Sequence, residues 1–254
     1  MGTAAFFDLD RTLLRRSSAL ALAGSFRQRG LIGRRQLAKA AAWQLLFVAR
    51  GAGAETVRRA SEDGLMILKG FRVDDLRTLV ADAMEPVLKP LIYRDPLRLV
   101  ERHRIQGEPV YIVSATLQEI VDELARELDF DGALGSVCEI VDGVYTGRAL
   151  RPCHGEAKAA AVRELADREG FDLSASTAYS DSHSDLAFLE AVGNPVAVNP
   201  DRELRRVAEE RGWPVLAFTE LAYPAAARGL RPALVVIPLV LGAGAAYWAA
   251  RRAA

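Results

Sequence analysis

Ala4-Ala5-Phe6-Phe7-Asp8-Leu9-Asp10-Arg11-Thr12-Leu13-Leu14, close to the start of the chain, is the stretch on which the reading of the fold turns. Its apolar run has the composition of a buried strand, and it ends in two carboxylates two residues apart, followed by a hydroxyl. Side chains at i and i+2 of a strand point to the same side, so Asp8 and Asp10 leave the strand end together. Two carboxylates in one place repel unless a cation or a shared proton compensates them. A metal-assisted nucleophilic site is built in this way. An acidic strand-to-loop turn has the same local composition, so the rest of the chain has to decide between the two.

Downstream of Pro90 the pattern alternates. Helices are expected over residues 95–106, 117–128, 156–170, 184–192 and 201–211, and short strands over 109–113, 176–179, 195–198 and 215–216. Asp142-Gly143, between Ile140-Val141 and Val144-Tyr145, predicts a hairpin. Strands separated by helices of ten to fifteen residues mean βαβ units and a parallel sheet. Functional groups in such a sheet collect at the carboxyl ends of its strands. Asp8 and Asp10 end the first strand there, Ser114 ends the next, Asp181 ends another, and Lys158 opens a helix. This convergence favours chemistry over an acidic turn.

Residues 17–88 read differently, as three or four helices punctuated by Gly30, Gly51, Gly53 and Gly70, with no convincing strand. Residues 40–49 carry no charge and include Trp43, Leu45, Leu46 and Phe47, too few to span a bilayer. They read as a buried helix of a small helical domain or as an apolar wall over a pocket. After Tyr223-Pro224 the composition shifts to that of a linker, residues 223–231. Residues 232–250 then run without a charge between flanking arginines, with Tyr247 and Trp248 near one end. That pattern predicts a transmembrane helix, the alternative being a buried C-terminal helix.

The bulk numbers bound the rest. The chain has 254 residues, enough for a full core, and equal numbers of basic and acidic residues, 33 each, which argues against a nucleic-acid partner. Two cysteines, Cys138 and Cys153, form no CxxC and read as free thiols of a reducing compartment. The chain goes into strand residues after Met1-Gly2-Thr3, without a secretory pattern. The expected localisation is therefore the cell membrane, by a single-pass C-terminal anchor with the catalytic body in the cytoplasm.

With these residues assembled, the chain resembles the haloacid dehalogenase superfamily, and within it the phosphoserine-phosphatase-like subfamily IB. Asp8-Leu9-Asp10-Arg11-Thr12 is similar to its first motif, DxDxT. Ser114 in Ile112-Val113-Ser114-Ala115-Thr116 resembles the second, Lys158 in Gly155-Glu156-Ala157-Lys158 the third, and Ser180-Asp181-Ser182-His183-Ser184-Asp185 the fourth. The resemblance implies a Rossmann-like α/β core over residues 1–16 and 89–222, with a helical cap over 17–88 inserted after the first strand.

It also implies roles. Asp8 would be the nucleophile, forming an aspartyl phosphate, and Asp10 the acid and then the base. Ser114, Ala115 and Lys158 would hold the phosphate. Asp8, the backbone carbonyl of Asp10 and Asp181 would hold Mg²⁺. Asp185 would orient the metal shell or Lys158, and Thr12 would bond the local backbone. For each of these a plainer reading exists: a surface lysine at 158, a helix-dipole carboxylate at 185, a strand-end hydroxyl at 114. His154 and His183 read as flanking residues, His103 as a surface helix residue, and Cys153 as packing.

The resemblance has gaps that bear on the substrate. Phosphoserine phosphatases carry Glu where this chain has Ser17, Ser-Gly-Gly where it has Ser114-Ala115-Thr116, and Asn where it has Ser184. The expected activity is an Mg²⁺-dependent phosphomonoesterase acting on a phosphorylated small molecule or lipid, with a lipid or prenyl phosphate suggested by a membrane-proximal site and an apolar cap helix. Phosphoserine phosphatase proper, transfer to an acceptor other than water and a degenerate membrane-tethered binding module are the alternatives.

Overall fold

The structure, a computed structural model, describes residues 2–30 and 68–223. Its centre is a seven-stranded sheet of order β4-β3-β2-β1-β5-β6-β7. The strands are β1 (Ala5–Phe7), β2 (Val110–Leu117), β3 (Gly132–Val141), β4 (Val144–Arg151), β5 (Thr177–Ser180), β6 (Asn194–Val198) and β7 (Val215–Leu216). All pairs are parallel except β3 with β4. That pair is the hairpin expected at Asp142-Gly143, whose φ values of +51° and +75° match a turn with both central residues left-handed.

β1 is apolar on both faces because it is covered on both. Phe6 packs in a cluster with Val113, Val162, Phe188 and Leu189, and Phe7 in a second, larger one with Ile112, Leu124 and Phe130. The chain runs from β1 to β2 on one side and reaches β5 on the other, so the strand order reverses between β1 and β5. The crevice at such a reversal, outside the strands' carboxyl ends, is where an open α/β sheet binds ligands.

The helices are α1 (Ser18–Gln28), α2 (Val73–Ala83), α3 (Arg94–Ile105), α4 (Gln118–Glu127), α5 (Glu156–Glu169), α6 (Leu186–Glu190) and α7 (Arg202–Arg211). Helices α1 and α2 fall in the segment expected to form a cap. The apolar stretch expected as a helix at residues 40–49 lies outside the described residues. Arg72 and Tyr145 show how the segment before α2 is tied down. Tyr145 donates its N–H to the Phe71 carbonyl at 2.8 Å, and an isolated bridge joins Arg72 to Val144.

The transmembrane helix expected over residues 232–250, and the single-pass membrane localisation drawn from it, are corrected. Among the described residues no helix is long and apolar enough to cross a membrane, and residues 224–254 lie outside them. A charge-free window measures transfer preference, not helix formation.

Candidate active site

The site is built where β1, β2 and β5 end. Asp8 follows β1 directly, and its N–H bonds the Tyr179 carbonyl of β5 at 2.9 Å. Asp181 follows β5. Lys158 arrives from the first turn of α5, a poor place for a cation because the helix dipole is positive there. Gly155, at φ +54° and ψ −132°, starts that helix in a conformation closed to most side chains.

Lys158 is 1% exposed, so it is not a surface lysine. Its Nζ donates to Asp8 Oδ1 and to Asp185 Oδ2, both at 2.6 Å, and lies 4.7 Å from the centre of the Phe188 ring. Asp185 Oδ2 also accepts from Ser180 Oγ at 2.7 Å. Of the two partners expected for Asp185, it is Lys158 that it touches. Asp185 closes a 3₁₀ turn over His183–Asp185, from which α6 continues.

The carboxylates outnumber the cations. Burial pushes the Asp8 carboxyl up to about 8, and the ammonium of Lys158 pulls it back only partly while Asp185 and Asp181 push further. Burial likewise pushes Asp181 up to about 7, against the pull of Arg11. Lys158 is held well above the ordinary lysine range: burial lowers it, but Asp8 and Asp185 together raise it more. The site is thus short of positive charge.

Among the described residues, no group of three or more His, Cys, Asp or Glu side chains makes a metal cage. The carboxylates that would serve as donors are Asp8 and Asp181, both buried and with their charge insufficiently compensated. Two hard oxygens of this kind fit Mg²⁺, which keeps several water or substrate oxygens in its shell.

Asp10 is bonded elsewhere, although the Lys158 ammonium still acts on its carboxyl. Its Oδ1 accepts the backbone N–H of Ser18, the first residue of α1, at 2.8 Å. Burial raises its carboxyl pKa, and the bonds from Ser18 and Ser17 lower it by less. Ser18 is itself buried, and its hydroxyl meets Thr116 Oγ1 at 3.0 Å. Thr116 in turn donates its N–H to Ser114 Oγ at 3.2 Å. A polar chain therefore runs from Asp10 through Ser18 and Thr116 to Ser114. None of it is visible from strand or helix periodicity, because Ser18 and Thr116 are 98 residues apart.

Ser114 and Ala115 sit where the pairing of β2 with β3 shifts between Val113 and Leu117. Such a bulge re-aims side chains at a sheet edge. Ser114 is buried, Ala115 is exposed, and the Ala115 carbonyl accepts from Ser136 Oγ at 2.8 Å. Asp201 is a residue the sequence reading did not single out. It caps α7 by accepting from Leu204 N at 2.8 Å, and it accepts from His183 N at 2.9 Å and Ser182 Oγ at 3.1 Å. Its own N–H bonds the Asp181 carbonyl at 2.8 Å, so it holds the loop that carries Asp181. Its place as the N-cap of an expected helix was the available signal.

Two expectations are corrected. Thr12 does not bond the local backbone: it is fully buried, and its Oγ1 has no hydrogen-bond partner among the described residues. His103 is not a surface residue. It is buried under the sheet, with Nε2 bonded to Tyr179 Oη at 2.8 Å and Nδ1 against Glu108. A histidine on a polar helix face can turn inward when a neighbouring strand offers it a hydroxyl. His183 Nδ1 lies 3.5 Å from Glu203 Oε2. Cys138 and Cys153 are free and buried, and burial pushes the Cys153 thiol up to about 11.

Comparison with known proteins follows the same lines. The family model described as haloacid dehalogenase-like hydrolase matches residues 5–190. A probable phosphatase of Mycobacterium tuberculosis is 41% identical over 217 residues, which is 85% of this chain and 76% of that protein. A protein of the same species named as a phosphoserine phosphatase is 39% identical over 240 residues, 92% of this chain and 76% of its own. Among solved structures, a protein of unknown function from Bordetella pertussis Tohama I aligns with a TM-score of 0.76 at 29% identity, covering 85% of this chain and 98% of that one.

Proposed function

The chain belongs to the haloacid dehalogenase-like hydrolases and is a phosphatase of their phosphoserine-phosphatase-like branch, and on that premise we propose that it hydrolyses the phosphate monoester of a small molecule through an aspartyl phosphate on Asp8. The observation that carries this reading is Lys158, buried between Asp8 and Asp185 at 2.6 Å from each. A cation so placed keeps one face of Asp8 ordered and meets the phosphoryl oxygens on which transition-state charge collects.

Asp8 attacks phosphorus, and the ester P–O bond breaks as the new one forms. Asp10, its carboxyl raised by burial, gives a proton to the departing alkoxide. Asp10 then takes a proton from water, the resulting hydroxide attacks phosphorus, and phosphate leaves Asp8 as a free carboxylate. Ser114, at the bulge of β2, and Ala115 beside it provide the remaining phosphate contacts. Asp8, Asp181 and the backbone carbonyl of Asp10 would hold Mg²⁺, which when bound neutralises the repulsion between anionic nucleophile and anionic substrate. Residues 17–88 are assigned as the cap, a lid that excludes water. Residues 1–16 and 89–222 are assigned as the catalytic core.

A lipid or prenyl phosphate loses the membrane anchor as support, and the apolar cap stretch at residues 40–49, its other support, lies outside the described residues. Phosphoserine is weakened by Ser17 and by the absence of glycine from Ser114-Ala115-Thr116, where Thr116 is engaged by Ser18. The test is a panel of small phosphate monoesters, phosphoserine included, assayed on the full chain with Mg²⁺ and with EDTA. Mg²⁺-dependent phosphate release from at least one ester other than phosphoserine is expected. Turnover of phosphoserine alone would overturn the substrate reading, and no turnover of any ester would overturn the activity.

A further inference from the structure

Arg11 directly follows the second of the two aspartates at the first strand end, and its backbone has φ +63°. Glycine adopts that conformation freely and an L side chain does not, so an arginine there calls for a reason beyond the turn. Its side chain is 68% exposed, and Nη1 lies 3.5 Å from Asp181 Oδ2. An exposed pair at that distance holds weakly and is readily exchanged for a better partner.

Charge in the crevice sharpens the question. Among the described residues, the cations paired with Asp8, Asp181 and Asp185 are Lys158 and Arg11. Lys158 is buried and bonded on both sides, so it cannot reach out of the crevice. Arg11 is the one whose guanidinium is open to incoming solute. It also follows Asp10 directly, and Asp10 must reach the ester oxygen of the leaving group. An exposed guanidinium carried one residue after Asp10 is within reach of the leaving-group half of the substrate.

Resting on the phosphatase reading above, we propose that Arg11 is a specificity-determining residue that binds a second anionic group, a carboxylate or phosphate, on the leaving-group half of the substrate. The planar guanidinium gives up Asp181 and takes the substrate's anionic group in a forked, charge-assisted pair. The substrate class is then a phosphate monoester of an acidic small molecule.

The experiment compares matched esters that differ in one carboxylate: 2-phosphoglycerate against glycerol 2-phosphate, and 3-phosphoglycerate against glycerol 3-phosphate. The kcat/KM ratio within each pair is measured for the wild type, Arg11→Lys and Arg11→Gly. Glycine suits the backbone at this position, so the variant is expected to fold, and its melting curve checks this. The wild type is expected to favour the acidic member of at least one pair. Arg11→Gly should reduce that ratio roughly ten- to hundredfold, and Arg11→Lys should restore part of it. No preference in the wild type, or an unchanged ratio in Arg11→Gly, would overturn the proposal while leaving the phosphatase reading intact. Failure of the wild type to hydrolyse any ester would remove both.

Discussion

Lys158 Nζ and Asp8 Oδ1 meet at 2.6 Å across 150 residues of chain. The first turn of α5 brings the ammonium to the end of β1, and Asp185 receives it from the other side at the same distance. Two carboxylates share one ammonium in a place nearly closed to water. Both carboxylates depend on the same ammonium for compensation, and this makes the arrangement testable by removing one group at a time.

Replacing Lys158 by Met leaves Asp8 and Asp185 buried without their counter-charge. A loss of about 3–5 kcal/mol of folding stability is expected. Adding Asp185→Asn should recover part of it by removing one of the two orphaned charges. Urea unfolding at pH 8 in EDTA measures both variants. A single variant as stable as the wild type would contradict the shared pairing.

Asp8→Asn keeps an oxygen for Lys158 and removes the nucleophile. Turnover should fall at least about a thousandfold with the fold intact. Acid quench during turnover of ³²P-labelled ester should trap label on the wild-type protein and none on the variant. Label on the variant would mean that another residue attacks phosphorus.

The bond from Ser18 N to Asp10 can be removed without disturbing α1. Ser18 is the first residue of the helix and Ser17 before it is extended, at φ −60° and ψ 128°, so Pro fits at position 18. Ser18→Pro deletes both the N–H and the hydroxyl bond to Thr116, and Ser18→Ala deletes the hydroxyl bond alone. Relative to Ser18→Ala, the proline variant should lower kcat roughly tenfold. Its limb of the kcat–pH profile that reports Asp10 should move to higher pH, because a bond that favours the carboxylate is gone. Identical profiles for the two variants would separate Asp10 from the acid–base step.

The raised carboxyls of Asp8 and Asp181 set the pH dependence of stability in EDTA. Both bind their protons more tightly in the folded chain than in the unfolded one. Between about pH 4 and the folded values, about 8 for Asp8 and about 7 for Asp181, the folded state holds more protons, and stability falls as pH rises. The melting temperature in EDTA should therefore drop from pH 5.5 to pH 8. Mg²⁺ should raise it more at pH 8 than at pH 5.5, since the ion competes with those protons. Differential scanning calorimetry with and without Mg²⁺ reads this. A metal effect independent of pH would count against Asp8 and Asp181 as the ligands.

Much of the core was legible because its signals are local. The apolar run of β1 and the Asp-Gly turn each follow from a period or a turn residue within a few positions, and so do the helices after Pro90. The misreadings arose where partners are distant. His103 looked like a surface residue because its own helix is polar, and Tyr179, which buries it, lies 76 residues further on. Thr12 was given a local backbone bond, yet its hydroxyl is enclosed without a partner. The charge-free tail suggests a membrane helix by its hydropathy, flanking arginines and aromatic end, but it lies outside the described residues, among which no helix is long and apolar enough to cross a membrane.

By itself the sequence determined that carboxylates, a hydroxyl and a lysine would gather at the carboxyl edge of a parallel sheet. Strand ends and helix starts are local features, and the alternation of strand and helix puts those ends on one side. Only the tertiary structure decided how these groups engage. It put Lys158 between Asp8 and Asp185, tied Asp10 to the start of α1 and left Arg11 open beside Asp181. Protonation and pairing depend on burial and on distances of a few ångströms between residues far apart in the chain, and no local pattern records either.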